Sequence, residues 1–184
     1  IFAGLTVFNL FGEVIGNAPG MVSGQPNLVK KVVFPLEILP IAAMGVALFH
    51  AGMTTIALLL LQLLLGYDLH WTALLAPLLV VPLCLFTLGM AWFLAALGVY
   101  VRDVGQIVPP ILTALMFLTP IFYPSTSLPA WIRPVVSYNP IAYGVETVRE
   151  AIIFGRLPDP AFFLVALAGG LAVAGLGYVF FQKT

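Results

Sequence analysis

Few side chains in this sequence could move a proton, attack a carbonyl or hold a metal, and their spacing weighs against each role. Glu146 and Glu150 are four residues apart, which on a helix puts both carboxylates on one face, as acid–base or metal chemistry would need. Arg149 stands beside them, where its charge would neutralise one acid, and neither histidine belongs to that segment. A solvated helix face is the better reading. His50 lies within an apolar run with no acid a turn away, and His70 falls in the following loop, so His50 reads as a hydrogen-bonded packing histidine. Cys84 is the single cysteine, which excludes an intrachain disulfide framework and a multi-cysteine metal site and leaves a small apolar core residue. Glu13 and Asn9 sit on the first apolar run. An acid at membrane depth points to function, but the nearby loop Asn17-Ala18-Pro19-Gly20 favours an interfacial position for Glu13. No glycine-rich phosphate loop ending in Lys-Ser or Lys-Thr occurs, so the chain does not bind ATP in that manner by itself.

The elements that would position these groups are apolar. With 62% hydrophobic and 8% charged residues and a mean hydropathy of +1.13, the chain lacks the polar surface of a water-facing globule, which normally carries about 25% charged residues. It reads as an integral membrane protein. Zero net charge and only seven Lys and Arg exclude a broad basic footprint for nucleic acid.

The organising stretch runs from Ile107 to Pro160. Ile107 to Phe122 is nearly membrane-length and breaks at Pro120 and Pro124. The chain then continues through Leu128-Pro129-Ala130-Trp131-Ile132, Tyr138-Asn139-Pro140 and the mixed run Ile141 to Gly155. A spanning helix needs about 20 apolar residues, and shorter apolar pieces read as re-entrant or interfacial. This region is expected to dip into the membrane without crossing it.

Around it, an apolar helix to about Ile15 is followed by the polar interruption Gly16 to Leu36. Pro26 can open a short helix there and Pro35 stops it, with Leu28, Val29, Val32 and Val33 on one face and Lys30 and Lys31 on another. That pattern fits a membrane-surface helix, a plain loop, or a lever docked on a cytoplasmic partner. A span from about Ile38 to Leu65 leads into the aromatic loop Gly66 to Trp71. The next span, Thr72 to Tyr100, is expected to kink at Pro77 and Pro82. The connection Tyr100 to Gln106 is so short that the helices it joins are expected to be antiparallel neighbours. The last span, Phe162 to Phe181, carries Gly169, Gly170, Gly175 and Gly177, small surfaces for close helix approach.

Basic residues give the orientation. Placing Lys30 and Lys31 in the cytoplasm puts Arg102 and Lys183 there by alternation, and leaves Asp68, His70, Arg133, Arg149 and Arg156 outside. Pairing of Glu146 with Arg149 is expected to offset part of that outer charge.

Four motifs in unbroken order carry a resemblance: Asn27-Leu28-Val29-Lys30-Lys31-Val32-Val33-Phe34-Pro35, Val101-Arg102-Asp103-Val104-Gly105-Gln106-Ile107, Leu118-Thr119-Pro120-Ile121-Phe122-Tyr123-Pro124 and Tyr138-Asn139-Pro140. Together they resemble the permease subunit of ABC-2 type polysaccharide exporters, which move O-antigen, capsular polysaccharide or teichoic acid. The resemblance covers nearly the whole chain and implies an all-α polytopic bundle forming one domain over residues 1–184, with about five spans visible and six in a complete chain. Such permeases have an amphipathic segment and a further span before the helix that opens here, so an N-terminal truncation is expected. The resemblance makes 22–36 a cytoplasmic coupling-helix loop seated on a separate ABC ATPase subunit, present in two copies and holding ATP and magnesium, with none in this chain. Asn27, Lys30, Lys31, Arg102 and Asp103 are the candidates for that contact. It makes 124–160 a pair of short extracytoplasmic gate helices, and a second permease copy the partner of a homodimeric channel in the bacterial inner membrane.

A channel for a lipid-linked polysaccharide needs walls that grip sugars without trapping them, and aromatic rings offer flat faces to sugar C–H groups. Phe117, Phe122, Tyr123, Trp131, Tyr138 and Tyr143 are the candidates, although aromatics also anchor helices at interfaces. Competing readings are an ABC-2 permease for drugs or lipids, an ion-coupled secondary transporter and an intramembrane enzyme. The secondary transporter would show ionisable groups at mid-membrane, whereas the charges here are expected at span ends. The last would need converging acids, histidines or metal ligands.

Overall fold

The computed structural model describes residues 1–24, 35–101, 103–123 and 138–184, and its elements are helical. In chain order they are α1 (Phe2–Asn17), α2 (Gly20–Ser23), α3 (Ile38–Leu64), a 3-10 turn (Trp71–Leu75), α4 (Ala76–Leu79), α5 (Val81–Tyr100), α6 (Val104–Leu118), α7 (Pro140–Arg149), a π-helical turn (Glu150–Phe154) and α8 (Pro160–Lys183). Three stretches, Ile38–Leu64, Trp71–Tyr100 and Pro160–Lys183, are long and apolar enough to cross a membrane. At about 1.5 Å per residue each exceeds the roughly 30 Å of hydrocarbon. The expected span at 107–122 is shorter than its apolar run. Its helix covers Val104–Leu118, carries Pro109 and Pro110 inside it, and stops where Thr119, forced extended ahead of Pro120, adopts ψ 139°.

Local chemistry sets the other boundaries. Asn139 caps α7 by accepting the Ile141 N–H at 3.0 Å, and Asp159 caps α8 by accepting the Ala161 N–H at 2.8 Å. In both helices proline follows at the first position, where no N–H is needed. The π turn ends on Gly155, whose φ of 67° suits a residue without Cβ. Between Pro77 and Pro82, where a kink is expected, the helix is interrupted at Val80, yet Cys84 N–H still donates to Val80 O at 3.0 Å, so its hydrogen bonding runs on.

The bundle is built around α1, whose buried residues Val7, Leu10, Phe11 and Val14 enter the core shared with α3, α5, α6 and α7. α8 docks chiefly on α5, and there the backbones meet. Gly89 and Gly177 face each other so closely that a Cβ on either would collide with backbone, and Gly170 lies against the Pro82 carbonyl. Gly169 and Gly175 face open space instead, so half of the expected glycine surface makes the contact. Trp92 and Tyr178 pack edge-on at 5.2 Å beside it. α6 leaves its short connection to α5 and leans mainly on α1, a weaker antiparallel pairing than the short connection predicts.

The two ends of the bundle sort the loops. At one end Pro19 packs on Gly98, Tyr100 donates to Thr184 O at 2.8 Å, and Trp92 Nε1 donates to Glu37 O at 3.1 Å. At the other, Thr72 donates to Ala151 O at 2.5 Å and the His70 ring covers Gly155. Asp68 and His70 therefore share an end with Arg156 and Asp159, as the alternation predicts. α7 lies along the half of α1 nearest that second end, with Gly144 against Val7 and Leu83, and Val145 against Gly4.

Candidate functional site

Two charged side-chain sites stand out among the described residues, one between α1 and α3 and the other at Arg149 on α7. Asn9 and Glu13 lie four residues apart on one face of α1, and His50 and Thr54 repeat that spacing on α3. Antiparallel packing of the two helices brings the pairs together across a cleft of about 390 Å³, lined also by Thr6, Gly12, Ala47 and Ala51. His50 Nδ1 lies 2.9 and 3.0 Å from the two Glu13 carboxylate oxygens. The His50 side chain is 58% exposed and that of Glu13 32%, so the pair opens outward from the bundle. His50 sits near the middle of a 27-residue apolar helix. Charged or strongly polar groups at such depth avoid hydrocarbon and face a cavity, a polar ligand or other protein. His50 is hydrogen-bonded, as expected, but its partner is an acid 37 residues away in sequence and its side chain is exposed rather than packed. Glu13, one turn from the end of α1, is engaged in this helix–helix contact.

The second place is Arg149. Its Nη2 donates to Pro120 O at 2.6 Å and Ile121 O at 2.9 Å, capturing carbonyls just past the end of α6. A cation at a helix C-terminus is favoured by the helix dipole as well as by these bonds. Gly4 makes room for it, since a Cβ there would stand 3.1 Å from Nη2. Burial lowers the guanidinium's proton affinity and the nearby Glu146 charge opposes that shift, leaving a cation. The expected Glu146–Arg149 ion pair does not form among the described residues; Arg149 turns to backbone carbonyls instead. Glu146 and Glu150 belong to no group of metal-ligating side chains among the described residues.

The family model described as ABC-2 type transporter matches residues 1–153. The chain belongs to the ABC-2 type transporter family. Its relatives include the O-antigen export system permease protein RfbA of Myxococcus xanthus, 32% identical over 177 residues, which cover 91% of this chain and 65% of that protein. Two proteins of the same name from Klebsiella pneumoniae are 22% identical over 185 residues, covering all of this chain and 71% of each. The chain thus spans about two thirds of the length of these relatives. Three apolar helices of spanning length within an ABC-2 domain make it a multi-pass inner-membrane protein. On α3 and α8 the exposed large side chains, among them Leu64, Val165 and Leu176, have hydrocarbon as their natural solvent.

The ABC-2 chain gathers some of the predicted channel aromatics and separates others. Phe117 and Phe122 pack at 6.1 Å at the end of α6, and Tyr123 joins them by donating to Phe117 O at 3.2 Å. Tyr138 is 87% exposed just before α7. Tyr143 is half-buried on α7 with its hydroxyl unpartnered among the described residues. Trp131 lies outside the described residues, as do the coupling candidates Asn27, Lys30, Lys31 and the side chain of Arg102. Asp103 is exposed and opens α6 without a side-chain cap. Reasoning from sequence missed the Glu13–His50 pair, although matched polar residues at i and i+4 on two apolar helices signalled it.

Proposed function

We propose that this chain is the transmembrane permease subunit of an ATP-driven exporter that moves lipid-linked polysaccharide across the inner membrane. The observation that carries this reading is the 32% identity, over 91% of the chain, to a protein named for O-antigen export. In this reading ATP and its magnesium bind a separate ATPase subunit in two copies, because the chain has no phosphate loop of its own. Two permease copies surround the path. The loop over 22–36 seats on the ATPase through Asn27, Lys30, Lys31, Arg102 and Asp103, and nucleotide-driven closure tilts the helices as rigid bodies. The region 124–160 acts as the gate on the outer side, with Phe117, Phe122, Tyr123, Trp131, Tyr138 and Tyr143 offering rings to passing sugars. The end carrying Pro19, Tyr100 and Lys183 is then cytoplasmic.

Arg149 supports this arrangement mechanically. It ties α7, inside the gate region, to the end of α6, so that movement of one carries the other. Deleting the gene should abolish surface polysaccharide and leave the lipid-linked polymer inside the cell, with restoration by the plasmid-borne permease. Unchanged surface glycan, with altered drug or lipid efflux, would contradict the proposal. Separately, replacing Lys30 and Lys31 by Glu should weaken copurification of the ATPase subunit.

A further inference from the structure

The turn that follows α7 is wound wider than an α-helix. In an α-helix the Gly155 N–H would donate to Ala151 O, four residues back; it donates instead to Glu150 O, and the Arg156 N–H reaches the same oxygen at 3.1 Å. Ala151 O is thereby left for another donor, and the Thr72 hydroxyl, 79 residues away in sequence, donates to it at 2.5 Å. Thr72 is buried on the 3-10 turn Trp71–Leu75, which packs against the π turn. Beside this bond the His70 ring lies so close to Gly155 that a Cβ there would collide with it, and His70 Nδ1 is buried without a partner among the described residues.

We infer that Thr72 is a positioning residue for the outer gate: its bond holds Glu150–Phe154 in the π register, and release of that bond lets the turn tighten to α. The inference rests on the gate role proposed for 124–160. The two registers exchange one hydrogen bond to Ala151 O for another, from the Thr72 hydroxyl to the Gly155 N–H, so they lie close in energy. The unpaired His70 nitrogen is a cost of the π register that withdrawal of the ring into water relieves. Gly155 accepts φ of either sign and so serves both registers. Tightening turns what lies beyond the turn by about 100° and draws it in by about 1.5 Å per residue taken up. Because α8 is locked to α5 through Gly89 and Gly177, the change falls on Phe154 and the connection to Asp159. Arg149, just before the turn, passes it to the carbonyls at the end of α6. A local change of register thereby becomes a movement at the gate.

Full-length permease with its ATPase subunit, carrying Cys84→Ala, would be spin-labelled at Phe154→Cys on the turn and Leu64→Cys at the end of α3, both exposed positions, and diluted with unlabelled copies. Pulsed dipolar spectroscopy should give one distance without nucleotide and a second when ATP is trapped on the partner subunit. Thr72→Val keeps the shape and removes the hydroxyl. It should raise the second population roughly fivefold without nucleotide, the weight of one neutral hydrogen bond, and Thr72→Ser should return the single distance. Gly155→Ala, which disfavours the left-handed backbone and collides with the His70 ring, should shift the turn the same way from the other side of the contact. An unchanged single distance in these variants and with trapped ATP would overturn the inference. So would a lower melting temperature for Thr72→Val with the distance unmoved, which would make the bond structural only. Should Thr72→Val fail to fold, Gly155→Ala and the nucleotide-dependent distance without it decide. Gene deletion judges the exporter reading separately: surface polysaccharide lost beside a turn that never moves would sink only the latch, and a moving turn beside intact surface polysaccharide only the exporter.

Discussion

α8 meets α5 and α3 meets α1 through opposite chemistries. At the first interface glycines let backbones touch, with Gly89 and Gly177 leaving no room for a methyl group. Between α1 and α3 the helices enclose clefts rather than touching backbone to backbone, and Glu13 and His50 bridge them at 2.9 Å. In a bilayer, helices gain little from hydrophobic exclusion, so close backbone packing fixes a rigid pair, while polar side chains mark where something other than lipid is received. The comparison separates a scaffold from a working surface.

The largest expected effect breaks the scaffold. Gly177→Leu must push α8 away from α5, and overpacking of this kind costs about 3 kcal/mol or more, so folded protein in detergent should fall sharply. Gly175→Leu, two residues away but facing open space, should unfold within about 0.5 kcal/mol of wild type. Equal losses in both would show that the interlock is not where the stability lies. Next is Arg149→Met, which orphans the Pro120 and Ile121 carbonyls and should destabilise by about 2–3 kcal/mol in thermal unfolding. Arg149→Lys should recover only part of this, because an ammonium lacks the planar fork.

Smaller is Trp92→Phe, which removes the bond to Glu37 O at 3.1 Å and should cost about 1 kcal/mol. Smallest in stability is His50→Gln. The Glu13–His50 contact is too exposed to contribute more than about 1 kcal/mol, yet polysaccharide export should fall severalfold. A large unfolding effect with normal export would reverse the roles assigned to the two interfaces.

Much of the scaffold was legible because it depends on local rules. Proline marked the interruption at Val80 and the stop before Pro120, whereas the caps Asn139 and Asp159 became evident only in the folded α7 and α8. The glycines of α8 signalled a close neighbour, although nothing local distinguished Gly177, which touches α5, from Gly175, which does not. Composition set the membrane. The working surface was less readable, since His50 finds Glu13 only after two helices fold against each other. Arg149 likewise prefers carbonyls delivered by a distant turn to the acid three residues before it. Long-range partners of polar residues are invisible to rules about neighbours in sequence. The aromatic cluster was half legible: Phe117, Phe122 and Tyr123 meet because they flank one turn, while Tyr143 is carried on another helix.

Reaction of a charged, membrane-impermeant thiol reagent tests the division most directly. Cysteines at Asn9 and Thr54 on the seam, and at Val165 and Leu176 on α8, would be compared in full-length permease in membranes, with Cys84 replaced by Ala. All four positions are exposed on the described bundle, so only their surroundings differ. Rapid modification of the seam cysteines beside silent cysteines on α8 is the predicted result. Modification on α8 with none along α1 and α3 would place lipid where the account places a polar path.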